Sequence, residues 1–142
     1  MSEHRIAIQW TKTGAFSHEG FDRSHTALAS GQQVAMAGAN TPEHIDPEQA
    51  LTFSLASCHM LTFLALAAKK RLVVSAYEDN AVGFLGVNAQ GKNWVERIEL
   101  RPDIQFEGKA PDAEALAKMH EKAHEHCFIA NSVLTEVVIK PV

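Results

Sequence analysis

The 142-residue sequence is poor in cysteine and tyrosine: Cys58 and Cys127 stand sixty-nine positions apart, and there is a single tyrosine. Two cysteines cannot supply the dense staples of a small secreted fold, and a chain of this length buries enough apolar surface to fold without them. Basic runs are also scarce. The longest is Lys69-Lys70-Arg71, and thirteen Lys plus Arg against seventeen Asp plus Glu leave a formal charge of −4, which argues against nucleic acid as a partner. No eighteen consecutive residues are apolar, and Met1-Ser2-Glu3-His4-Arg5 has no apolar signal region, so the expectation is a cytoplasmic protein with no membrane partner. In that reducing compartment, pairing of the two cysteines is a reaction step rather than a permanent bridge. A Gly-rich phosphate loop, GxSxG and HExxH are all missing, which leaves nucleotide binding, serine hydrolysis and zincin chemistry without support.

With 46% apolar and 21% charged residues, the chain reads as one globular domain over 1–142. Alternation at Ile6 to Trp10 predicts a strand, and Thr26 to Ala29 and Gln33 to Ala37 predict two more, turning at Ser30-Gly31. Asp46-Pro47-Glu48-Gln49 supplies an N-cap acceptor, a first-turn proline and a capping-box glutamine, predicting a helix from Pro47 to about Lys70. Its apolar residues fall on nearly every side, the pattern of a central helix buried all round. Val73 to Val87 and Trp94 to Glu107 read as two long strands, with Pro102 marking an edge or bulge. A second helix runs from Pro111 to about His126, and a strand from Val133 to Ile139 ends the chain. The order predicts an α+β fold with a mostly antiparallel sheet, in which a second copy covers the long helix.

Cys58 lies mid-helix, and Cys127 follows the second helix on its inward face; the pair is a candidate redox couple, the alternative being two small buried apolar residues. A reactive Cys58 has to be a thiolate, so a cation such as an arginine is expected to approach it. His59 projects from another side of the helix, as a surface or interface histidine or as a catalytic one. His120, His124 and Cys127 share one helix face with metal-ligand spacing, but no fourth ligand of a closed zinc site is evident, and titratable surface histidines are the alternative.

Asp46-Pro47-Glu48-Gln49 followed by Ala56-Ser57-Cys58-His59, together with Ala123-His124-Glu125-His126-Cys127, resembles the OsmC/Ohr family of thiol-dependent hydroperoxide reductases, over nearly the whole chain. The resemblance implies the OsmC-like fold as an intertwined homodimer, with a peroxidatic Cys58 and a resolving Cys127. It also implies that Glu48 orients a catalytic arginine, matched by Arg23 in Phe21-Asp22-Arg23-Ser24-His25. Phe128 follows Cys127 where the Ohr branch usually has proline, the mark of a divergent OsmC-like member. Ten residues of unbroken helix separate Glu48 from Cys58 by about 15 Å, so the two meet only across a two-fold interface that crosses the long helices.

The chemistry implied is attack by the Cys58 thiolate on an organic hydroperoxide, giving an alcohol and a sulfenic acid that Cys127 converts to a disulfide. Phe53, Leu55, Met60, Leu61 and Phe128 are expected to line an apolar substrate site. An external dithiol, such as a lipoylated protein, would then reduce the disulfide, and the cycle calls for no cofactor and no metal. The alternative is a non-catalytic module that binds small molecules or acyl groups in the same apolar dimer cleft.

Overall fold

The computed structural model describes residues 2–142, which form two compact units, one up to Ala50 and the other Leu51–Val142. In the first, β1 (Ala7–Gln9), β2 (His25–Ala29) and β3 (Gln32–Met36) make an antiparallel sheet in that order. The two-residue turn between β2 and β3 has positive φ at both Ser30 (51°) and Gly31 (75°), the twist that matches a hairpin's strands. Trp10, Phe16 and Phe21 cluster with ring centroids 5.7–6.3 Å apart, and the indole N–H of Trp10 donates to the Asp22 carbonyl at 2.7 Å. Ile6, Ile8 and Val34 stay exposed on this sheet.

Helix α1 (Pro47–Lys69) starts where its cap residues dictate. The Asp46 carboxylate accepts from Gln49 N–H at 2.8 Å, and the Gln49 side chain accepts from Asp46 N–H at 3.0 Å, a reciprocal capping box. It ends in a Schellman turn. Arg71 takes φ 59°, its N–H donates to Ala68 O, and the Leu72 N–H donates to Ala67 O, each at 3.0 Å. By length and apolarity α1 also meets the requirement of a bilayer span.

The expectation of a helix buried on every side is not met within one chain. The buried residues Leu55, His59, Phe63 and Ala67 form one stripe at i, i+4, i+8 and i+12, whereas Phe53 and Leu61 are 63% and 60% exposed. In the second unit two small sheets, rather than the one sheet expected, and one other helix cover only the side that faces them.

The two long strands expected between residues 73 and 107 are each broken in two. They form β4 (Val73–Asp79), β5 (Val82–Val87), β6 (Asn93–Leu100) and β7 (Pro102–Glu107). At the break Pro102 opens β7, where its missing N–H interrupts nothing, and the Asp79 carboxylate accepts from the Arg101 N–H at 2.7 Å. β4 pairs with β7 antiparallel, and β5 pairs with β6 antiparallel, while β8 (Glu136–Ile139) joins β6 in parallel. Helix α2 (Ala113–His126) is capped by Asp112, whose carboxylate accepts from Ala115 N–H at 2.8 Å.

This second unit has two apolar clusters along α1. Leu55 packs with Ile98, Leu100 and Cys127, and further along Phe63 and Ala67 pack with Met119 and Ala123 of α2. Gly83 allows α1 to approach β5 closely, since a Cβ there would lie 2.6 Å from the Thr52 hydroxyl. On the opposite face of β6, buried Glu99 is met by Arg97 at 3.2 Å, Arg101 at 2.9 Å and Lys140 at 3.2 Å.

Candidate active site

Both cysteines are free thiols, and both belong to the cluster around Leu55. Cys58 is half-buried on α1. Cys127 is fully buried where the chain leaves α2, with φ −74° and ψ 113°. That extended residue opens a tight turn, and a short 3-10 turn over Ala130–Ser132 follows. The Cys127 carbonyl accepts from Asn131 N–H at 3.0 Å, and the Ser132 hydroxyl donates to Phe128 O at 2.7 Å.

Within this arrangement the two sulfurs are in hydrogen-bonding contact, and their ionisations are driven apart. Burial pushes the Cys58 thiol up, but the Ile129 N–H, the Cys127 thiol, the Phe128 N–H and the Thr62 hydroxyl all reach its sulfur, and the net shift is downward. The Thr62 hydroxyl also lies 2.8 Å from the Cys58 carbonyl and, with one proton, serves one acceptor at a time. Burial raises Cys127 to about 11, helped by its contact with Cys58 and opposed by the Ala130 N–H, which donates to its sulfur at 3.4 Å. Cys58 is therefore the sulfur that ionises first, and Cys127 is the proton-bearing donor beside it.

One residue beyond Cys58, His59 is 1% exposed and faces His120 of α2, which is 3% exposed. His59 Nε2 and His120 Nδ1 are 3.0 Å apart, with ring centroids at 5.3 Å and planes 9° from parallel; which ring donates depends on the tautomers. The Phe63 ring stacks on His120 from the other side at 4.6 Å. Both histidines are held neutral to about pH 4, His59 by burial and then by the neighbouring His120 and His124, and His120 by burial. The metal reading of His120, His124 and Cys127 gains nothing: among the described residues no three His, Cys, Asp or Glu side chains are gathered as a ligand set, and His120 spends Nδ1 on His59.

In the first unit the Arg23 guanidinium donates to His18 O at 2.8 Å and Phe21 O at 3.1 Å and lies 4.1 Å over the Phe21 ring. Glu48 stands in the first turn of α1, which runs unbroken to Lys69. Of the expected lining residues, Leu55 is part of the core beside Cys127, Met60 is half-buried, and Phe53, Leu61 and Phe128 are exposed, Phe128 by 81%. Sequence reasoning missed the amides of Phe128 and Ile129, which leave no residue signature. It also missed Thr62, whose i+4 spacing from Cys58 was there to be read.

A family model described as OsmC-like protein matches residues 38–142, and the chain belongs to that family. An OsmC-like protein of unknown function from Vibrio cholerae is 42% identical over the full length of both chains, with a TM-score of 0.93. The fold also recurs in an OsmC-like protein of Mycoplasma pneumoniae, at 16% identity and a TM-score of 0.76 over 99% of this chain and 96% of that one. The organic hydroperoxide resistance protein OhrB of Bacillus subtilis is 13% identical with a TM-score of 0.74, over 99% and 98% of the two chains. No curated protein sequence matches the chain.

Proposed function

We propose that this protein is a two-cysteine hydroperoxide reductase acting on organic hydroperoxides. The observation that carries the reading is the contact between two unbonded thiols whose ionisations are driven apart, Cys58 down and Cys127 up to about 11. That is the asymmetry a nucleophile and its resolving partner require.

In the first step the Cys58 thiolate attacks one peroxide oxygen and the O–O bond breaks. The sulfur is oxidised to a sulfenic acid, and the departing alkoxide takes a proton and leaves as the alcohol. Cys127 then gives up its proton and attacks that sulfur. The S–O bond breaks, water departs and a Cys58–Cys127 disulfide forms. A dithiol, such as a lipoyl group in its reduced form, restores both thiols by exchange and is itself oxidised. The exposed Phe53, Leu61 and Phe128 side chains favour an organic peroxide over hydrogen peroxide, and a fold shared with a Bacillus subtilis organic hydroperoxide resistance protein points the same way. A homodimer accounts for the uncovered apolar side of α1, and in it Arg23 and Glu48 of one copy act beside Cys58 of the other. A reducing cytoplasm fits the free thiols.

Intact mass of the reduced protein before and after one equivalent of an organic hydroperoxide tests the reading. The parent is expected to lose two hydrogens and a Cys127→Ser variant to gain one oxygen. No change in either refutes the reading and leaves a binding module with structural cysteines.

A further inference from the structure

We infer that the hydrogen bond between His59 and His120 is a positioning element for the two thiols: it fixes the register of α1 against α2 and thereby holds Cys127 to Cys58. The inference rests on the reading of Cys58 and Cys127 as the reacting pair. His59 follows Cys58 on α1, and His120 lies on α2, whose C-cap is Cys127. The residues from His120 to Cys127 make about two helical turns, so both project from one side of α2.

One stripe of α1 meets that side along its length. Leu55 shares a cluster with Cys127, His59 lies one turn further on, and Phe63, a turn beyond, packs with Met119 and Ala123. The His120 ring is held by the last two turns of this stripe, with His59 at a centroid distance of 5.3 Å and Phe63 at 4.6 Å. Apolar contacts alone tolerate small slides, whereas a 3.0 Å hydrogen bond between two buried rings fixes distance and direction together. Sliding α2 by one residue along α1, about 1.5 Å, breaks that bond and carries Cys127 past Cys58 by the same amount. The outer nitrogens of the pair, His59 Nδ1 and His120 Nε2, are buried without hydrogen-bond partners, so two apolar side chains would fill this part of the core with less loss. What the polar pair adds is register, the best-attested use of a buried polar contact.

The readout is the effective concentration of the Cys58–Cys127 pair, measured at pH 7 as its equilibrium with reduced and oxidised glutathione, with no peroxide present. In that exchange the two thiols are oxidised to the disulfide, and one oxidised glutathione takes their electrons and protons and leaves as two reduced molecules. The double variant His59→Leu, His120→Leu removes the bond, while His120→Asn keeps a hydrogen-bonding group where Nδ1 stood. The net worth of one hydrogen bond predicts a fall of about fivefold in the double variant, with His120→Asn staying within about twofold of the parent. Urea unfolding of the reduced proteins runs in parallel, since a merely structural pair moves stability and leaves the thiol equilibrium alone. A double variant at the parent's value, an asparagine variant that falls as far as the double variant, or a parent that forms no Cys58–Cys127 disulfide overturns the inference.

Should the double variant fail to fold by circular dichroism, His120→Ala takes its place beside His120→Asn, and equal values for the two overturn the inference. A parent and variants that behave as expected with glutathione but reduce no hydroperoxide count against the enzyme reading alone.

Discussion

Mild acid is expected to destabilise this protein through the buried His59–His120 pair. Both imidazoles are almost wholly out of water, and both titrate near pH 4 in the native state, against about 6.5 in the unfolded chain. A folded pKa below the unfolded one means that, as pH falls through 6.5, the unfolded state takes up protons that the native state refuses. Stability from this source is whole above about pH 7, falls between 6.5 and 4, and levels off below.

For one histidine with these two constants, the loss between pH 7 and pH 5 is about 2 kcal/mol, and the pair, whose two charges repel, loses at most about twice that. That is a sizeable share of the ~5–15 kcal/mol that holds a domain folded. Asp79, raised by burial, works in the opposite direction and trims the effect. Urea unfolding followed by tryptophan fluorescence at pH 7 and pH 5 gives the difference, with an unchanged slope marking a pure stability effect. The double variant His59→Leu, His120→Leu removes both titrating groups and both hydrogen-bonding partners together, a change expected to be close to neutral at pH 7 and to flatten the dependence. Equal stability of the parent at the two pH values, or an undiminished dependence in the double variant, refutes the reasoning.

In turnover assays Cys58→Ser is expected to lose all hydroperoxide reduction, whereas Cys127→Ser reduces about one equivalent and then stalls; sustained turnover by Cys58→Ser refutes the roles assigned. On the proposed placement of Arg23 beside Cys58 of the second copy, Arg23→Ala is expected to slow the first step at least about tenfold, and an unchanged stopped-flow rate removes Arg23 from the site. Phe63→Ala empties the stack between His120 and Tyr77 and is expected to cost about 3–5 kcal/mol, read as the shift of the urea midpoint. Sedimentation equilibrium is expected to give a dimer, and Leu61→Glu, placed on the uncovered side of α1, to weaken it; a monomeric parent refutes the paired site.

Much of this protein was written in local chemistry. Asp46-Pro47-Glu48-Gln49 marked the start of α1 because its cap and box close within four residues, and Ser30-Gly31 marked the hairpin because positive φ is a property of the turn itself. Residue type and the two helices marked Cys58 and Cys127 as a candidate redox pair, and the structure packs both in one cluster; which of them attacks came from the resemblance to the OsmC/Ohr family.

Where the two long strands break was not legible, because the Asp79 carboxylate that takes the Arg101 N–H comes from twenty-two residues away. The side of α1 that is buried was hidden too. Its apolar residues lie all round, and only the packing of Leu55 on Ile98 and of Phe63 on Met119 selects the stripe. Nor did spacing reveal that His59 meets His120, or that Ile129 and Ala130 after α2 pack into the cluster that holds both cysteines. Residues 58, 127 and 129 share one cluster only once two helices and a turn have packed, which the tertiary structure alone decides.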